Sequence, residues 1–205
     1  SVEGDIEETI ALAEYYDNNI INMNHFCGEQ TPVQYLQSEK ILSNVTVNKL
    51  VTNYELDLTS DEKKRLKDTG TLSDKVLKRV GADAQRNLLI FEQIKNVTKI
   101  KNKKTLVFAS SVENSNSLAA LLSFDGVKAK SVTGETSTND RRQAVKDFQN
   151  GELDVLINFN IFSTGFDDPT IDCVIIGRPT FSVVLYSQMV GRGLRGPRNG
   201  GTESC

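Results

Sequence analysis

Two arginines three residues apart, Arg192 and Arg195, end the run Gln188-Met189-Val190-Gly191-Arg192-Gly193-Leu194-Arg195, with Gln188 about one helical turn earlier. At a helix end that spacing puts both guanidinium groups on one side. A planar, permanently charged guanidinium matches the negative charge that a phosphoryl group in transfer spreads over its oxygens, so the pair reads as a phosphate-stabilising device. The ordinary alternative is two solvated surface charges. Two features favour phosphate. From Cys173 to Thr202 the chain has four arginines (Arg178, Arg192, Arg195 and Arg198) and no acid, and glycines flank Arg192, leaving room for a close ligand. Gly191, Gly193 and Gly196 also match the GxGxxG spacing of a dinucleotide loop, but the preceding strand and following helix that such a loop needs are missing.

The second constellation is Ser163-Thr164-Gly165-Phe166-Asp167-Asp168-Pro169. Alone it reads as a Gly/Asp/Pro turn. It follows the strand-like run Leu153–Phe159, however, and ligands of open α/β sheets collect at the loops beyond the carboxyl ends of strands.

The elements that must position these residues are legible in the second half. Thr105–Ser110, Lys128–Thr133, Leu153–Phe159 and Asp172–Gly177 read as strands, alternating with helix-like stretches in a parallel α/β layout. Val112–Phe124 offers Leu118, Leu121 and Leu122 as one apolar face, Thr138–Gln149 offers Ala144, Val145 and Phe148, and Ser182–Leu194 is a third helix carrying the arginines at its end. The first part, residues 1–82, reads as a mixed, largely helical appendage. In it Ile6–Tyr15 is helical, Lys49–Leu58 alternates like a strand, and Thr59-Ser60-Asp61-Glu62 resembles a capping box. Residues 83–205 form the main domain, opening with the helical stretch Ala84–Val97, and Gly200–Cys205 looks like the approach to one more strand.

Composition narrows the classes. With 205 residues, 38% of them hydrophobic, the chain can bury a sizeable core, and its net charge of −3 means that any polyanion site is a local patch. Cys27, Cys173 and Cys205 are scattered and His25 is the only histidine, which predicts neither a zinc site nor a disulfide framework. No apolar run reaches the roughly 20 residues of a membrane span, and the cytoplasm is the default compartment.

Taken together, four motifs in order resemble the C-terminal motor domain of superfamily 2 helicases, in the branch containing DEAD/DEAH-type and type III restriction motor proteins. They are Thr105-Leu-Val-Phe-Ala-Ser-Ser111, Val132-Thr-Gly-Glu-Thr136 with Arg141 and Arg142, Thr164-Gly-Phe-Asp-Asp-Pro169, and Gln188-x-x-Gly-Arg-x-x-Arg195. The resemblance implies a RecA-like three-layer sandwich with a mostly parallel sheet. It makes Arg195 the arginine finger, lets Arg192 reach the γ-phosphate near Gln188, lines the nucleotide with Gly165 and Asp167, and turns Ser110, Ser111, Gly134 and Thr164 toward a nucleic-acid backbone. Helix capping or turn formation is the other reading of the serines. Phe159 stands where DEAD-box relatives have a hydroxyl residue, and Gln188 replaces their histidine.

No GxxxxGK(S/T) phosphate loop and no DEAD-like acid quartet occurs in the chain, so ATP and Mg2+ would be held mainly by an N-terminal RecA-like domain of the same protein. The expectation is a helicase or translocase domain, inactive alone, that acts on DNA or RNA, with no membrane partner. The rival is a non-catalytic nucleic-acid-binding or regulatory module that kept the fold.

Overall fold

The computed structural model describes residues 27–161 and 167–205. The expected helix Ile6–Tyr15, His25, and Ser163, Thr164, Gly165 and Phe166 lie outside them. The chain divides into two units, Ser1–Glu39 and Lys40–Cys205. The described part of the first carries helix α1 (Pro32–Ser38), started by a capping box between Thr31 and Gln34 with Pro32 in the first turn.

In the second unit four parallel strands, β1 (Thr105–Phe108), β2 (Ala129–Val132), β3 (Val155–Asn158) and β4 (Cys173–Ile176), form a sheet in the order β2-β3-β1-β4. The central strands β1 and β3 are buried along their whole length. Their apolar runs need no polar alternation because both faces are covered. Val107, Val155, Ile157 and Ile175 face one core together with Ile90, Ile94, Leu118 and Leu122. Leu106, Phe108 and Leu156 face the other with Ala144, Phe148 and Met189. The first core is roofed by α4 (Ala84–Lys95) and α5 (Val112–Phe124), the second by α6 (Thr138–Gln149) and α7 (Val183–Val190). This is the expected three-layer α/β sandwich.

The helical faces differ in detail from the sequence reading. On α5 Leu118 and Leu122, four apart, reach the core while Leu121 is exposed, and on α4 Ile90 and Ile94 are buried while Leu88 and Leu89 are exposed. Helix α4 runs into a π-turn (Asn96–Ile100) before β1. Ahead of the sandwich stand α2 (Ser60–Thr69) and α3 (Asp74–Gly81). The Thr59–Glu62 capping box is present with both reciprocal bonds, at 3.3 and 3.0 Å. Lys49–Leu58 forms no strand: Thr52, Tyr54, Leu56 and Leu58 are half-buried in alternation, but no ladder pairs with them. No described helix is long and apolar enough to cross a membrane.

Candidate nucleotide and nucleic-acid site

The carboxyl ends of the strands bring Ser110, Ser111, Gly134 and Asn160 to one edge of the sheet, whereas Asp167 and Asp168 lie at the opposite edge, beside Lys104 at the start of β1 and Gln149 at the end of α6, and not beyond the strand ends as expected. After β1, the Ser110 side chain is buried and its hydroxyl donates to Gly177 O at 2.7 Å, while the Ser110 N–H donates to Asn114 Oδ1 at 3.1 Å. Ser111 caps α5, its hydroxyl accepting the Asn114 N–H at 3.1 Å. Both serine hydroxyls turn into the fold, so the geometry supports the capping reading over a direct hydroxyl contact with nucleic acid. Gly177 O, just past β4, also accepts a hydrogen bond from Arg86, whose burial lowers its pKa.

After β2 the chain makes a tight turn in which the Thr133 N–H donates to Thr136 Oγ1 at 3.0 Å and the Thr136 N–H to Thr133 O at 3.1 Å. Arg141 supports it from α6 through Thr136 O at 3.4 Å. The turn presents Gly134 to solvent, and a side chain there would meet open space. Beyond β3, Asn160 adopts a left-handed conformation (φ 59°), which asparagine tolerates, and its carboxamide oxygen accepts from Arg178. The Arg178 guanidinium lies 5.4 Å from the centroid of the Phe159 ring, so this phenylalanine is covered by a cation instead of offering a free stacking face.

The two adjacent carboxylates of that loop have opposite fates. Asp168 is buried, its side chain 1% exposed against 14% for Lys104, whose Nζ is 3.1 Å away. It also accepts from the Thr170 N–H at 2.9 Å and the Thr170 hydroxyl at 2.6 Å. Lys104 in turn lies 4.5 Å from the Phe148 ring centroid. This node ties the loop to the start of β1. Asp167, by contrast, is 64% exposed and accepts from Arg195 Nε and Nη2, each at 3.1 Å.

The arginines converge, but not as a helix would arrange them. Helix α7 stops at Val190, Arg192 sits in a 3-10 turn (Gly191–Gly193), and Arg195 lies beyond it. The expectation of one shared helix face is therefore corrected. Asp167 pairs with Arg195, and at Arg192 burial lowers the pKa, an effect that the Asp167 charge opposes and the Arg195 charge adds to. The flanking glycines also divide: a side chain at Gly191 would meet open space, whereas a Cβ at Gly193 would stand 2.5 Å from Cys205 Sγ and 2.9 Å from a Val174 methyl. Gly193 is thus glycine for packing, not for a ligand. Gln188 is exposed on the last turn of α7. Thr164 and Gly165 lie outside the described residues.

No sequence pattern marks the segment that holds Arg195. Residues 40–46 run beside residues 194–205, forming an antiparallel bridge between Leu42 and Arg195 and a parallel one between Asn44 and Ser204. The expected strand approach at Gly200–Cys205 takes this form. Burial pushes the Cys173 thiol up to about 11, as befits a packed side chain of β4 rather than a reactive one.

Residues 86–196 match the family model described as the helicase conserved C-terminal domain. The chain belongs to this family, the C-terminal domain of superfamily 2 helicases. A yeast protein named "Putative ATP-dependent helicase IRC3" (Saccharomyces cerevisiae) is 42% identical over 93 residues, 45% of this chain and 14% of its own length. A "51.5 kDa protein" of a Lactococcus phage is 40% identical over 93 residues, 45% of this chain and 21% of its own length. The chain thus spans a minor part of these curated relatives. The solved C-terminal part of the Fun30 ATPase domain shares the fold, with a TM-score of 0.51 at 18% identity over 70% of this chain and 47% of that one.

Proposed function

We propose that this chain works as the second motor domain of an ATP-dependent helicase or translocase, closing on an N-terminal RecA-like domain across ATP and gripping the backbone of one DNA or RNA strand. The observation that carries the reading is Arg195 paired with Asp167 within a stretch, Cys173 to Thr202, that holds four arginines and no acid. The names of relatives fit it: besides the yeast helicase, "ATP-dependent RNA helicase DRS1" of Debaryomyces hansenii is 29% identical over 118 residues, 58% of this chain and 15% of its own length.

Two guanidinium groups and the open flank of Gly191 suit the phosphate end of ATP, and Arg192, Arg195, Gly165 and Asp167 are the residues of this chain that would meet the nucleotide. Arg195 stabilises charge developing on the transferred phosphoryl group, Arg192 contacts the γ-phosphate before transfer, and Gln188 lies one turn behind them. Asp167 holds Arg195 until the nucleotide offers stronger charge. Mg2+ would be held mainly by the N-terminal RecA-like domain. Gly134 and Thr164 offer backbone and hydroxyl contacts to nucleic-acid phosphates, which position a strand without reading its sequence.

The test uses a protein that joins this chain to its phosphate-loop domain. Arg195→Ala lowers nucleic-acid-stimulated ATP hydrolysis on the order of 10³-fold while leaving ATP binding largely intact, because a finger acts in the transition state. Arg192→Ala lowers hydrolysis similarly and weakens ATP binding as well. Arg198→Ala, past Pro197, keeps hydrolysis near the parent rate. An Arg195→Ala protein that hydrolyses ATP as fast as the parent overturns the assignment.

A further inference from the structure

We infer that Ser43 is a positioning residue for Arg195, holding the backbone that carries the finger in its working place. The inference rests on the reading of Arg195 given above. Helix α7 ends five residues before Arg195, so no helical ladder fixes the direction of its side chain. What fixes it is a three-segment knot. The Ser43 hydroxyl, fully buried, lies 2.6 Å from Arg195 O and 2.7 Å from Thr202 O and donates to either. The Thr202 N–H donates to Arg195 O at 3.1 Å, which keeps that carbonyl satisfied when the hydroxyl turns to Thr202.

Bonds on both sides of Arg195 come from the same short segment. The Ser43 N–H donates to Leu194 O and the Gly196 N–H to Ile41 O, each at 3.0 Å, and the Arg198 N–H donates to Lys40 O at 3.0 Å. The third segment closes over them, with the Asn44 N–H donating to Glu203 O and the Cys205 N–H to Asn44 O, both at 2.9 Å. Approach is so close that a Cβ at Gly201 would stand 1.8 Å from Arg195 O, and one at Gly196 2.3 Å from Lys40 O. The Ser43 side chain donates to the Arg195 carbonyl from inside the knot. Its removal leaves the Arg195 carbonyl with only the Thr202 N–H, takes the hydroxyl from the Thr202 carbonyl, and frees the backbone to shift.

Small displacements of a catalytic group are costly, a misplacement of about 1 Å sufficing for roughly 100-fold. In the two-domain protein Ser43→Ala therefore lowers kcat for ATP roughly tenfold or more, with KM for ATP and affinity for single-stranded nucleic acid nearly unchanged. Ser43→Cys fills the site with a weak donor and gives an intermediate loss, which also covers the case that the alanine variant fails to fold. The deciding measurement is a double-mutant cycle on single-turnover hydrolysis. In an Arg195→Ala background the Ser43 substitutions cause no further loss, because they act through a side chain already gone. Unchanged kcat for both Ser43 variants, or an equal loss in both backgrounds, overturns this inference while leaving the finger assignment standing. A fully active Arg195→Ala protein instead overturns the finger.

Discussion

Two regions of this chain place their residues by different means. In the sheet, the neighbours of Ile157 are settled once β3 lies between β1 and β2: alternation sends it to one core and Leu156 to the other, and the ladder repeats the decision along the strand. In residues 191–205 no such repetition exists. Two 3-10 turns and two isolated bridges carry the chain, and the position of Arg195 depends on single bonds from residues 40–46. Asp168 and Asp167, neighbours in sequence, fall on either side of this divide: one is buried on Lys104, the other exposed on Arg195. Burial makes a contact stabilising to the fold; exposure leaves it free to be exchanged for a ligand.

The comparison is sharpest in equilibrium unfolding of the whole chain. Asp168→Ala leaves the Lys104 ammonium mostly buried without its carboxylate and costs about 3 kcal/mol, in the range for breaking a buried pair. A loss below about 1 kcal/mol would show that the Thr170 hydroxyl and Gln149 O, which also accept from Lys104 Nζ, hold it well enough alone. Next in size is Ser111→Ala, which removes the α5 cap and costs about 1 kcal/mol. A loss of similar size is expected there whether or not nucleic acid is present, since the hydroxyl is turned into the helix end. If the variant instead keeps its stability but loses strand affinity, the serine faces the strand after all.

The same divide marks what could be read in the sequence. Helices α5 and α6 emerge over the residues their apolar spacing indicates, Val112–Phe124 and Thr138–Gln149, and the four strands sit inside the expected runs because both signals are local and repeated. Lys49–Leu58 has the alternation of a strand without the ladder, since pattern records which side chains find cover and not whether a neighbouring backbone is present to pair. The arginine spacing implies a shared helix face that the structure does not keep: Gly191 and Gly193 let the chain leave the helix, and a carboxylate 28 residues away pairs with Arg195. Nothing local marks Ser43, a serine between Leu42 and Asn44 whose partner is 152 residues distant. For the serines after β1 the sequence leaves two readings open, because a capping hydroxyl and a strand-facing hydroxyl look alike in one dimension.

Asp167→Ala sits at the other end of the stability scale, at about 0–1 kcal/mol, because its pair with Arg195 is exposed to solvent. Unfolding in denaturant checks this. A loss matching that of Asp168→Ala would erase the contrast between the two carboxylates.

The smallest effect concerns an exposed pair away from the site, Lys78 with Glu113 at 2.7 Å. The Lys78 ammonium first, then the Glu113 backbone N–H and the Ser111 hydroxyl, hold the Glu113 carboxyl well down, to about 2. A carboxyl depressed in the folded state adds stability above its ordinary value of 4.5 and loses it as pH falls toward 2. Glu113 also stands in the first turn of α5, where negative charge suits the helix dipole. Glu113→Gln should thus be slightly less stable than the parent at neutral pH, and the two unfolding curves should draw together as pH falls below 4.5. Added salt should shrink the neutral-pH difference too, since both partners are solvated. A difference that persists at low pH and in high salt would mean that Glu113 acts through packing, as the residues of the sheet do, and not through its charge.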